Sequence, residues 1–174
     1  FGATGVTVSE MCLGTMMFCD RTDYAESSRI VASAREAGVN FIDTADAYAK
    51  GESEKIVGKL IAGDRDHWVL ATKVGNPMGE GPNERGTGRK RLLAAIDQSL
   101  DRLGTDFVDI YYLHKDFEDT PLEETIDAMG DILASGKARY FGVSNFRGWR
   151  IAEVVRVCGE LGVARPVVCQ PYYN

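Results

Sequence analysis

No stretch of this sequence approaches the roughly 20 apolar residues needed to span a bilayer. Phe1-Gly2-Ala3-Thr4-Gly5 carries neither the basic head nor the apolar core of a secretory signal. A cytosolic (cytoplasmic) protein is the simplest expectation. Surplus positive charge is also missing: the formal net charge is -6 and the pI is near 5.0. A nucleic-acid surface or an anionic-membrane face would need clustered Lys and Arg, so neither partner is expected, whereas small neutral or anionic ligands are compatible. The four cysteines, Cys12, Cys19, Cys158 and Cys169, include no Cys-x-x-Cys pair. Three of them sit among apolar neighbours, where a reduced thiol packs as a small hydrophobe, so neither a disulfide nor a metal site is expected.

What is present fits one soluble globular unit: of 174 residues, 44% are hydrophobic and 26% charged, enough apolar material for one sizeable core. Short β-branched or aromatic runs alternate with amphipathic stretches, a pattern that means parallel strands with helical crossovers. The strand candidates are Met11 to Thr15, Phe41 to Asp43, Trp68 to Val74, Val108 to His114, Tyr140 to Ser144 and Val167 to Gln170. Helices are expected at about 25 to 37, 53 to 61, 89 to 103, 122 to 134 and 148 to 160.

The third helix shows the logic. Leu92, Leu93, Ile96, Leu100 and Leu103 share one face at helical spacing, while Arg89, Lys90, Asp97, Asp101 and Arg102 avoid it. Gly38, Gly104 and Gly136 follow the first, third and fourth helices, where a left-handed residue commonly ends a helix. An open doubly wound sheet and a closed barrel both fit the repeat. No Gly-x-Gly-x-x-Gly opens any helix, which counts against a dinucleotide-binding open sheet. The Gly75 to Gly88 segment lacks the Lys of a phosphate-binding loop, leaving a mobile loop over an active site or a plain surface loop.

In parallel α/β architectures ligands bind at the carboxyl ends of the strands. Standing there are Gly14 and Thr15, Asp43 with Tyr48 in the following loop, Lys73, His114, Ser144 with Asn145, and Gln170. Singly, each has a bland explanation: Asp43 or Asp46 as a helix cap, Lys73 snorkelling, His114 a satisfied core imidazole, Tyr48 a half-buried aromatic. Jointly, those explanations must all hold at the same end of successive strands. Asp43, Tyr48, Lys73 and His114 also make chemical sense as a set for carbonyl reduction. A free Tyr hydroxyl is a poor acid at neutral pH; a Lys ammonium beside it favours the phenolate, an Asp holds that Lys, and a His can hydrogen-bond the carbonyl oxygen.

Asp43-Thr44-Ala45-Asp46-Ala47-Tyr48, followed by Gly51-Glu52-Ser53-Glu54, resembles the second-strand signature of the aldo-keto reductases. Ala71-Thr72-Lys73, Val108-Asp109-Ile110-Tyr111-Tyr112-Leu113-His114 and the run from Gly136 to Phe146 resemble that family's next landmarks in order and spacing. The resemblance implies a TIM (β/α)8 barrel of which this chain holds the first six β/α units in a single domain. It implies an NADPH-dependent reductase of aldehydes or ketones, with NADP(H) preferred and NAD(H) the alternative, and a small-molecule carbonyl substrate. Asp43, Tyr48, Lys73 and His114 then correspond to the catalytic tetrad, with Tyr48 as general acid. Ser144, Asn145 and Gln170 match the positions that bind the nicotinamide carboxamide, and Asp43, Gly14, Thr15 and Met16 lie where the cofactor passes. Met17 and Phe18, with Tyr48 and His114, are expected to line the substrate pocket.

Strands seven and eight, which in the family supply much of the nucleotide and substrate contacts, are not in this sequence. These residues are therefore expected to be a portion of a longer polypeptide, since a six-stranded remnant exposes two edges that a barrel pairs. The β subunits of voltage-gated potassium channels resemble the same family, so a cofactor-binding regulatory subunit is a second reading. An inactive half-barrel scaffold is a third.

Overall fold

The computed structural model describes residues 1–172; Tyr173 and Asn174 lie outside the described residues. Eleven elements alternate along the chain: β1 (Leu13–Gly14), α1 (Tyr24–Glu36), β2 (Phe41–Asp43), α2 (Glu52–Ile61), β3 (Val69–Val74), α3 (Arg89–Leu103), β4 (Val108–Leu113), α4 (Leu122–Ala134), β5 (Ala138–Ser144), α5 (Gly148–Leu161) and β6 (Val168–Gln170). The six strands pair in sequence order and all in parallel. They form a curled half-barrel with the helices between them, part of a (β/α)8 barrel.

Alternation within each strand divides the core in two. On the helix-facing side Ile42, Leu70, Val74, Tyr111, Leu113, Phe141 and Val143 join helical residues such as Val57, Ile96, Met129 and Val157 in one large buried cluster. On the inner side Phe41, Ala71, Ile110 and Tyr112 form a smaller one. Inner positions farther along β2 and β3 are Asp43 and Lys73, so the inside of the barrel changes from apolar to charged toward the carboxyl ends of the strands. A hydrophobic floor therefore lies beneath the polar cluster.

Local chemistry explains the helix limits. Asp23 caps α1, its carboxylate accepting from Glu26 N at 2.8 Å. Gly104 ends α3 at φ 65°, donating to Leu100 O at 2.8 Å, and Gly38 and Gly136 take the same left-handed conformation after α1 and α4. The strand limits shift modestly. Met11 is 71% exposed and unpaired, which shortens β1, whereas pairing of Ala138 with Val108 extends β5 backwards. Neither Asp43 nor Asp46 caps α2, whose N-cap residue is Gly51, with no side-chain cap. Of the cysteines only Cys158 is buried; Cys12, Cys19 and Cys169 are exposed, Cys12 and Cys169 because they sit on or beside the edge strands β1 and β6. No helix among the described residues is long and apolar enough to cross a membrane.

A polar layer is buried between sheet and helices. Glu54 accepts from Thr72 Oγ1 and from Arg102 Nε, each at 2.6 Å, joining α2, β3 and α3. Arg91 Nη2 donates to Asp46 Oδ2 at 2.6 Å, and both side chains are buried. Removing one partner of such a pair strands the other charge in low dielectric, at a cost of about 3–5 kcal/mol.

Two glycines give opposite predictions. A Cβ on Gly58 would stand 2.1 Å from Leu103 O, where α2 crosses α3, whereas one on Gly159, inside α5, meets nothing within 4 Å. Gly58→Ala should destabilise by about 1–3 kcal/mol through overpacking. Gly159→Ala should stabilise by about 0.5–1 kcal/mol through helix propensity. Denaturant midpoints of the two variants against the parent check both signs.

Candidate active site

The loop that follows β2 keeps its backbone on β3. Thr44 N donates to Ala71 O at 2.9 Å, and Asp46 N donates to Lys73 O at 3.1 Å. With the Asp46 carboxylate also gripped by Arg91, the chain has little freedom before it turns at Tyr48 into a short 3₁₀ segment, Tyr48–Gly51. Ala49 and Lys50 take φ values of 48° and 54°, left-handed conformations that cost an L residue roughly 1–2 kcal/mol each. That strain sits immediately beside the Tyr48 side chain.

Lys73 is wholly buried, and its ammonium donates to three acceptors: Asp43 Oδ2, Thr44 O at 2.9 Å and Tyr48 Oη at 3.2 Å. An ammonium has three N–H bonds, so its donor capacity is used in full. Because Lys73 takes a lone pair of the Tyr48 oxygen, the phenolic hydrogen must point elsewhere. Burial pushes the Asp43 carboxyl above its usual range and the Lys73 ammonium pulls it back. Asp43 Oδ1 is buried with no hydrogen-bond partner.

His114 stands edge-on to Tyr48, ring centroids 5.8 Å apart at 82°. Burial, and then the Lys73 charge, push its imidazole down from 6.5 to about 4, so it is neutral at pH 7. Its Nδ1 lies 3.3 Å from Asn76 Nδ2, and its carbonyl accepts from Asn145 Nδ2 at 2.9 Å. The four expected residues are thus brought together: Asp43 and Tyr48 both contact Lys73, and His114 flanks Tyr48.

The neighbouring residues divide. Ser144 Oγ donates to Gln170 O at 3.1 Å, Asn145 N donates to the same carbonyl at 3.1 Å, and Asn145 Nδ2 also donates to Ser144 Oγ at 3.0 Å. These three form one polar corner at the ends of β5 and β6, with Asn145 at φ 58° and Gln170 exposed. Gly14 is exposed with open space where a Cβ would stand. Met16 and Met17 line an open hollow of about 540 Å³ together with Tyr48, Ala47 and Lys50. The Thr15 hydroxyl faces the helices, and Phe18 departs from its expected place on the pocket wall. The Thr15 hydroxyl is buried against Asp43 O at 3.1 Å and Ser53 Oγ at 3.0 Å, on the helix side of the sheet. Phe18 is 3% exposed in the main core with Val31 and Ile42, so it packs the fold rather than walling the hollow.

The sequence profile of the aldo/keto reductase family matches residues 10–174. The chain belongs to this family. Among its relatives are a probable voltage-gated potassium channel subunit beta of Oryza sativa subsp. japonica, 36% identical over 99% of this chain and 54% of that protein, and the L-glyceraldehyde 3-phosphate reductase of Escherichia coli K12, 36% identical over 99% and 52%. Norsolorinic acid reductase B of Aspergillus parasiticus is 34% identical over 99% of this chain and 49% of its own length. The chain spans about half the length of the curated relatives it matches.

Sequence reasoning missed three residues around this cluster. Asn76 sits in the loop after β3, within the Gly-rich segment. Arg91 is buried in α3 although its type suggests a solvated face; its position four residues before Ala95 and eight before Ser99, both fully buried, was the available signal. Asp46 turns to Arg91 instead of capping a helix.

Two predictions follow from this geometry. Between pH 6.5 and about 4 the unfolded chain protonates His114 while the folded site resists. Its contribution is therefore complete above pH 6.5 and is lost as pH falls. Relative to His114→Gln, the parent should lose up to about 3 kcal/mol of stability between pH 7.5 and 4, read by urea denaturation at each pH. Ala49→Gly should stabilise by about 1 kcal/mol by relieving the left-handed strain, measured the same way.

Proposed function

We propose that the protein containing this chain reduces an aldehyde or ketone to an alcohol with a nicotinamide cofactor, NADP(H) in preference to NAD(H), and that Tyr48 is the proton donor. The observation that carries the reading is the buried Lys73 ammonium at 3.2 Å from the Tyr48 oxygen, held by Asp43. The names of relatives, L-glyceraldehyde 3-phosphate reductase and norsolorinic acid reductase B, support a reductase.

The residues present fit such a cofactor. Asp43 Oδ1 is a buried acceptor with no partner, Gly14 leaves open space beside it in the β1–β2 pairing, and Ser144, Asn145 and Gln170 offer amide and hydroxyl groups at one corner. Asp43, Gly14 and Met16 would border it, and the Ser144–Asn145–Gln170 corner would hold its carboxamide. When bound, the reduced nicotinamide supplies the hydride that adds to the carbonyl carbon.

The chain's own residues handle the proton. As negative charge develops on the carbonyl oxygen, the Tyr48 hydroxyl, its hydrogen turned away from Lys73, transfers its proton there. The phenolate left behind faces the Lys73 ammonium, whose position Asp43 and Thr44 O fix in advance. Neutral His114, with one ring N–H, donates a hydrogen bond to the same oxygen and so orients the substrate. The open hollow lined by Met16, Met17 and Tyr48, with Asp20 and Lys50 on its rim, gives an approach of mixed polarity for the rest of the carbonyl compound.

In the full-length protein, Tyr48→Phe should lower the rate of NADPH consumption with an activated aromatic aldehyde by about 10²–10⁴-fold while NADPH binding persists. Equal rates in parent and variant would refute the role of Tyr48. The potassium channel subunit relatives motivate a second reading, a cofactor-binding regulatory subunit; NADPH binding by the parent without turnover of any carbonyl compound would favour it.

A further inference from the structure

The loop after β3 makes a bend that nothing so far explains. Gly75 takes φ +133°, and the Phe117 ring lies 2.8 Å from where its Cβ would stand. Gly86 N donates to Gly75 O at 2.8 Å, closing the loop on itself, and His114 N donates to Val74 O at 2.9 Å, tying β4 to the same point. A side chain at position 75 would collide with Phe117, so only glycine permits this bend. Its product is that the next residue, Asn76, half-buried, sets its Nδ2 3.3 Å from His114 Nδ1.

We propose that Asn76 is a positioning residue that fixes His114 in the Nε2–H tautomer, leaving Nε2 as the donor to the substrate carbonyl; this rests on the reductase reading for its consequence in catalysis, though not for the tautomer itself. An amide nitrogen has hydrogens and no usable lone pair, so the ring atom facing it must accept. A neutral imidazole that accepts at Nδ1 carries its hydrogen on Nε2. The ring is held from its backbone as well, since Asn145 Nδ2 donates to His114 O at 2.9 Å and Lys73 stands beyond Tyr48 on the other side. Burial and the nearby ammonium keep the ring neutral, so there is one hydrogen to place and Asn76 places it. Had both nitrogens been protonated, no such choice would exist.

The test is nitrogen-15 NMR of the imidazoles in the full-length protein, with the His114 signals identified by their loss in His114→Gln. The parent should show a pyridine-like Nδ1 and a pyrrole-like Nε2. In Asn76→Asp, a near-isostere that can only accept, the hydrogen should move to Nδ1, and in Asn76→Ala the two tautomers should mix. Turnover of an activated aromatic aldehyde should fall in Asn76→Asp by about 10²-fold, the loss of one positioned donor, mainly in kcat, with NADPH affinity held. A pyrrole-like Nδ1 in the parent, or the parent tautomer persisting in both Asn76 variants, overturns the proposal. If the tautomer behaves as stated but the parent reduces no carbonyl compound, Asn76 keeps its assignment and it is the reductase reading that fails.

Discussion

A Lys side chain with no solvent exposure is the constraint around which this structure is arranged. An isolated ammonium in a protein interior is heavily penalised, and the usual outcome is loss of its proton unless acceptors surround it. Here the chain supplies three, one from a carboxylate, one from a backbone carbonyl and one from a phenol. Two of these come from β2 and the start of the loop that follows it, so Lys73 holds that loop in place as much as the loop holds Lys73. The charge in turn acts on its neighbours: it lowers the imidazole of His114 and offsets the burial of Asp43. Burial is the larger influence on both, and the fixed charge adds to it at His114 and opposes it at Asp43.

Behind the sheet a second set of charges does the mechanical part. Asp46 with Arg91, and Glu54 with Arg102 and Thr72, are buried between β2, β3, α2 and α3, and they attach the Tyr48 loop to helices rather than to solvent. Burial pushes the Asp46 carboxyl up to about 7, and the Arg91 guanidinium opposes that push. Three atoms of the layer, Asp46 Oδ1, Arg91 Nε and Tyr111 Oη, are buried without a partner. A layer of this kind contributes little net stability compared with apolar packing, but it specifies one arrangement of the loop, because any slippage leaves a charge unpaired.

The fold was legible because its signals are periodic. The α3 stripe and the glycines that close α1, α3 and α4 are local properties, and all appear where helical geometry requires them. That Asp43, Tyr48, Lys73 and His114 would meet was legible because each lies at or just after a strand end, and strand ends share a face in a parallel sheet. The inward packing of the Thr15 hydroxyl and of Phe18 was not legible because both follow β1 in sequence yet turn to the helix side, and alternation over a two-residue strand is too short to assign a face. Asn76 was invisible for a different reason. It depends on a backbone reversal at Gly75 and on a contact across 38 residues, neither of which leaves a periodic trace. Arg91 was obscured by its residue type, which outweighed a helical position that pointed inward.

The strand register explains why these particular residues meet. Asp43 is paired with Ala71, so Lys73 lies one inner layer farther along than Asp43. Lys73 is paired with Tyr112, so His114 lies one layer farther again. Each step is two residues, about 6.6 Å along a parallel strand, and it climbs in the same direction as the stagger that curls the sheet. A short carboxylate stands lowest, a long amine reaches back down to it, and an imidazole caps the rise beside the tyrosine that the β2 loop swings over them. The meeting of Asp43, Lys73, Tyr48 and His114 is thus a property of three consecutive strands and their register, while the Ser144, Asn145 and Gln170 corner belongs to the next two.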